Sequence, residues 1–194
     1  MLTNGIETSP VSAMGSYCEA EPCKVKAKDM TDTFLIELFR HKAWCNVQLV
    51  EALRKAPGDL DRAQMAVVRF TLDHTLRVDR AFRARLSDTD HGLSSVVAKE
   101  LPDLDILAEA LSEIDTWYLD YVRRVSPSDL ETTVNFTFIS DGDQGHMTKK
   151  DILAHVITHG ASHRGAIGKM LEAMKVQGAP DMVTTFLRLR NSTR

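Results

Sequence analysis

Apolar side chains recur at the helical period through four separate stretches of this chain, each longer than twenty residues. A period of about 3.6 held over such lengths admits amphipathic helices and excludes a mainly sheet architecture, because strands alternate with period 2. The first stretch, "TDTFLIELFRHKAWCNVQLVEALRKA" from Thr31, sets Phe34, Leu35, Leu38, Trp44, Val47 and Leu53 near one face and stops at Pro57-Gly58. The second runs from about Asp59 to Leu86 with Met65, Val68, Leu72, Leu76 and Phe82 inward, and "SDTDHG" breaks it. The third, "PDLDILAEALSEIDTWYLDYVRRV", carries Pro102 near its first turn, where a missing N–H costs little. The fourth opens at Thr148 with Asp151 three residues on, a weaker form of the capping box, and runs to about Val176 before Gly178 stops it.

Between Ser126 and Lys149 the period changes. "ETTVNFTF" is rich in β-branched and aromatic residues and "SDGDQG" has hairpin-turn chemistry, so a short two-stranded ribbon is predicted there. Pro180 and Asp181 open a short last helix through "MVTTFLRL". The expected fold is all-α: an up-down four-helix bundle with a β-ribbon before the last long helix and a short C-terminal helix. Residues 1–29, with Gly, Pro and Ser and no steady apolar period, read as a weakly structured lead-in to one domain over residues 30–194.

Composition narrows the function. A formal net charge of −3 supplies no basic footprint for nucleic acid. No apolar run approaches the ~18 residues a membrane span needs, and the first thirty residues lack the apolar core of a signal peptide. Three cysteines, Cys18, Cys23 and Cys45, are an odd number in a long chain, so a reducing cytoplasm is expected rather than a disulfide framework. The C-x4-C spacing of Cys18 and Cys23 fits no strong zinc signature, and Cys45 among apolar neighbours reads as a small core residue.

Three of the seven histidines fall in "HVITHGASHRG", at His155, His159 and His163. Four residues on a helix advance ~400° with ~6 Å of rise, so these rings climb one face. An adjacent pair can reach one ion, but all three span ~12 Å of axis, too far for one ion. A third ligand must then come from another helix. His74, between the inward Leu72 and Leu76, is the first candidate, and His41 on the first helix is the second. His91 and His146 fall in loop-like stretches. A zinc protease of the helical type needs Glu directly after its first histidine; Val156 and Gly160 stand there instead.

The run "HVITHGASHRGAIGKML" is similar to the H-x-x-x-H-x-x-x-H-R-G motif of the DinB/YfiT-like family of four-helix-bundle metalloenzymes. "LDHTLRVDRAF" resembles that family's histidine segment on its second helix, and Trp44 with Asn46 resembles its first-helix W-x-N segment. The resemblance covers about Thr31 to Leu189 and implies a metal triad of His74, His159 and His163. His155 is then left to line the cleft, and Arg164 to pair with Asp79 or a substrate anion. Gly165 of the same motif is expected to let a neighbouring helix approach. Two departures stand out: His41 occupies a position often aromatic in the family, and the first thirty residues have no counterpart. The resemblance further implies a homodimer and thiol-dependent transferase chemistry, in which a divalent ion activates a low-molecular-weight thiol or water. Zinc ranks first by ligand type and nickel second. His41 and His155 are the neutral-pH candidates for a base. The alternative is a non-catalytic, stress-response protein whose ion is structural or sensory.

Overall fold

A computed structural model describes residues 27–58 and 61–192, with side chains from Phe34 onward. Cys18, Cys23 and the lead-in that contains them lie outside the described residues. Four long helices carry the fold: α1 (Ala27–Arg54), α2 (Arg62–Ser87), α3 (Leu104–Arg124) and α5 (Lys149–Ala173). A one-turn helix α4 (Pro127–Leu130), strands β1 (Thr133–Thr137) and β2 (Gln144–Thr148), and a final α6 (Val183–Ser192) complete it. The mostly helical chain and its antiparallel ribbon agree with the expected bundle.

The helices begin where local chemistry satisfies their free N–H groups. Asp61 accepts from the backbone of Ala63 and Gln64 at the start of α2. Thr148 and Asp151 form the reciprocal capping box that opens α5. Helix α4 was not expected: Ser126 caps it and Pro127 stands in its first turn, but four residues are too few to display a period. Helix α5 stops at Ala173, and the chain reverses at Lys175 with φ +57°, ahead of Gly178.

Helix α1 packs on α3 and α5, and α2 packs on α3 and α5, so α1 and α2 lie diagonally opposite in the bundle. The stripe Leu107, Leu111, Ile114, Tyr118 and Val122 shows why α3 is a helix: its spacings of three and four bury one face completely. It meets Phe39, Leu49, Leu72, Leu76, Ile152, Leu153, Val156 and Leu171 in one core. Each such side chain contributes roughly 1.5–3 kcal/mol on burial. Phe34 and Val47, read as inward, are exposed; they sit at the edges of the α1 stripe, where a period alone does not choose the buried side.

A charged cluster crosses this core. Lys42 is 1% exposed, with Nζ 2.8 Å from Asp79 Oδ2 and 2.5 Å from Asp115 Oδ1. Asn46 donates to the other oxygen of Asp115 at 2.7 Å. Three helices are tied by one ammonium. In the ribbon, Phe136 pairs with Gly145 across the strands. The Phe136 ring lies so close over that glycine that an added Cβ would stand 2.6 Å from it. Only glycine fits there.

Candidate metal centre

Helix α2 supplies His74, and helix α5, packed against it, supplies His159 and His163. The structure brings one ligand atom from each of these three half-buried rings within 4.8 Å of the others. Ring centroids lie 5.3 Å apart for His74 and His159, 5.0 Å for His74 and His163, and 4.4 Å for His159 and His163. The i, i+4 spacing sets the last pair, and the α2–α5 contact sets the other two.

Their hydrogen bonds favour a ligand among them. His74 Nδ1 lies 3.1 Å from the carbonyl oxygen of Val96. That oxygen only accepts, so the neutral ring carries its proton on Nδ1 and leaves Nε2 as a lone pair. A backbone carbonyl that orients a histidine in this way is a common support for metal ligands. His159 and His163 meet Nε2 to Nε2 at 3.1 Å, and the buried Nδ1 of His159 has no partner among the described residues. Among the described residues His159 therefore makes no hydrogen bond outside the cluster, unlike an ordinary core histidine.

Three rings of α5 are biased toward the neutral form. Burial, then the neighbouring His163, His155 and His74 and the charge of Lys42, lower the pKa of His159 to about 4. Burial and His74 lower that of His163, and burial lowers that of His155. Neutral imidazoles are the form that binds a cation. The donor set, three nitrogens on two rigid helices, fits a divalent ion with positions left open for exogenous ligands.

His155 takes no part in that cluster. One turn before His159, it stacks on the His159 ring at 5.2 Å and tilts over Phe82 at 4.9 Å. Both rings line a cavity of about 210 Å³ that His74 and His159 also reach. Phe136 and Ile139 from the ribbon and Val78 from α2 make the remaining wall largely apolar. At one edge Arg85 donates to the Thr137 carbonyl at 3.2 Å and lies over the Phe136 ring. Sequence reasoning did not find this wall; the alternating Phe136 and Phe138 were its only sign.

The other expected residues lie elsewhere. Arg164 does not pair with Asp79: its Nε and Nη2 donate to Asp181 at 2.8 and 3.2 Å, and Nη1 to Asn46 at 3.3 Å. Asp79 pairs with Lys42 instead. A Cβ on Gly165 would meet nothing within 4 Å, so Gly165 permits no close approach. Gly160 is the more crowded glycine of α5: its Cβ would press on the Arg164 side chain of the same helix at 3.2 Å and touch Lys42 of α1 at an ordinary 3.7 Å. His41 stands with Cys45 and Asp181, away from the cavity. His146 is exposed on β2 with Asn135 at 2.7 Å, and His91 is half-buried beside Arg85 at 3.2 Å.

The sequence model of the DinB family matches residues 28–192. No curated protein and no solved structure matches the chain. Among the described residues, no helix is long and apolar enough to cross a membrane.

Proposed function

The chain belongs to the DinB family, and from that premise we propose that it is a divalent-metal-dependent enzyme that joins a small thiol, or water, to an electrophile with an apolar body. His74, His159 and His163 hold the ion, with zinc ranked first and nickel second for an all-nitrogen site. The bound ion supplies Lewis acidity, which lowers the pKa of a coordinated thiol or water. Everything else falls to the chain's own residues. The apolar cavity beside the triad, walled by Val78, Phe82 and Phe136, receives the organic part of the electrophile and excludes water from it. His155, neutral and on the same wall, takes the proton released by the incoming thiol. The observation that carries this reading is the convergence of three imidazoles, two of which, His74 and His159, also line an apolar cavity.

The test has two arms. Elemental analysis of the purified chain should find one ion dependent on the triad, lost in His74→Ala, His159→Ala and His163→Ala. Full occupancy in His74→Ala overturns the triad. A screen of apolar electrophiles with several low-molecular-weight thiols, with and without metal, then reads turnover. Triad-dependent metal with no turnover of any pair would favour a sensory or structural ion.

A further inference from the structure

Among the described residues a second group of three converges, and it shares no side chain with the triad: His41, Cys45 and Asp181. His41 and Cys45 stand at i, i+4 on α1, the spacing that sets two side chains over one point. Asp181 comes from the segment between α5 and α6. Phe186 of α6 packs edge-on against the His41 ring at 5.7 Å and closes the cluster from that side.

Cysteine, histidine and aspartate together also compose a nucleophilic relay, so the geometry must decide. In a relay the ring lies between its partners, one nitrogen toward each. Here the same nitrogen, Nε2, faces both: Cys45 Sγ lies 3.2 Å away and Asp181 Oδ1 3.9 Å away. Cys45 is 1% exposed, so its sulfur has no substrate to attack. Its thiol is pushed well above the ordinary cysteine range, by burial first and then by Asp181, which removes it further from a free nucleophile.

Convergence on one point is what a cation needs. Ligand atoms ~2.0–2.3 Å from a tetrahedral ion stand roughly 3.3–3.6 Å apart, and the separations of 3.2 and 3.9 Å bracket that range. Arg164 grips Asp181 through both oxygens and would hold the carboxylate in register, as hydrogen-bonded carboxylates in metal sites are held. Asp181 is partly exposed, which leaves a way in. We infer that His41 Nε2, Cys45 Sγ and Asp181 Oδ1 form a second cation site, for a thiophilic divalent ion such as zinc, with water as the fourth ligand. The Cys45 proton leaves to solvent as the ion binds, and the resulting thiolate and the Asp181 carboxylate neutralise the dication.

Metal-free full-length protein titrated with Co(II) tests this, because only a thiolate ligand gives a sulfur-to-cobalt charge-transfer band. Wild type should show the band, and so should His74→Ala and the Cys18→Ser/Cys23→Ser variant. Cys45→Ser should lose it, and Asp181→Asn, at a partly exposed position, should weaken the ion responsible at least ~10-fold. Zn(II) should displace the cobalt. A wild type without the band overturns the site, as does a band that survives in folded Cys45→Ser or vanishes in the Cys18→Ser/Cys23→Ser variant. If Cys45→Ser lacks helical circular dichroism, Asp181→Asn decides: unchanged affinity there overturns the site. A band in His74→Ala that keeps full metal would count against the triad alone, so the two sites fail separately.

Discussion

Replacing Lys42 by Met removes the one ammonium that holds two buried carboxylates of other helices. Asp79 is fully buried and Asp115 nearly so, at 2.8 and 2.5 Å from Nζ. Burial pulls the Lys42 ammonium down, but Asp79 and then Asp115 outweigh it and hold its pKa above the ordinary value. Burial pushes the Asp79 carboxyl up, and Lys42 offsets part of that. Removing one partner of such a cluster costs about 3–5 kcal/mol, because a charge stays behind in the core. For a chain of this length each kcal/mol moves the melting temperature ~2–4 °C, so Lys42→Met should lower it by about 6–20 °C. The structure also orders the rescues. Asp115 keeps the Asn46 donor at 2.7 Å, whereas the carboxylate of Asp79 keeps no hydrogen-bond donor. Adding Asp79→Asn to Lys42→Met should therefore recover more stability than adding Asp115→Asn. The pH sign follows from the same geometry. A carboxyl whose folded pKa is raised contributes stability at low pH that is lost as pH rises through that pKa. The deficit of Lys42→Met against wild type should shrink as pH falls from 7. Thermal unfolding by circular dichroism across that range reads all of these. A Lys42→Met loss under about 1 kcal/mol, or a deficit that grows on acidification, would refute the reasoning.

Zinc at 100 times its dissociation constant should stabilise wild type by about 2.7 kcal/mol, or ~5–11 °C, and leave His159→Ala unmoved in the triad-dependent part of that shift. The metal-free protein should lose stability as pH falls from 6.5 toward about 4, because its fold favours neutral His159 while the unfolded chain takes up the proton. His159→Gln should flatten that slope, and equal slopes in differential scanning calorimetry would count against it. Gly165→Ala, mid-helix with open space, should gain roughly 0.5–1 kcal/mol, whereas Gly160→Ala should gain nothing or lose ~1–3 kcal/mol against Arg164. Opposite signs in chemical denaturation would refute this reading of the two glycines.

The long helices were legible because each repeats its apolar residues over many turns, as Leu107 to Val122 does. The histidine ladder was legible for the same reason, since i, i+4 spacing is local. His74 was harder: its inward place between Leu72 and Leu76 made it the first candidate for the third ligand, and the family resemblance singled it out over His41. What escaped was long-range pairing of charge. Lysine reads as solvated, and nothing near Lys42 announces Asp79 and Asp115, which arrive from two other helices. Arg164 was sent to the wrong aspartate because Asp79 was in view in a motif, while Asp181 lies past a helix end whose reversal at Lys175 carries no glycine. Cys45 was correctly read as buried, but its companions could not be, because Asp181 joins it only through tertiary packing.

The glycine under Phe136 has a consequence for how this protein can diversify. By letting the ring lie flat on β2, Gly145 anchors a hairpin that rests on the bundle without belonging to its core helices. That hairpin contributes Phe136 through Ser140 to the cavity, whereas the triad rides entirely on α2 and α5. Part of the cavity wall is thus written in a stretch of the gene separate from the triad, although Val78, Phe82 and His155 share the triad's helices. Drift in the hairpin tip can retune what enters the cavity while the histidines stay untouched, and a grafted hairpin that keeps the Phe136–Gly145 pair is a natural unit for redesign.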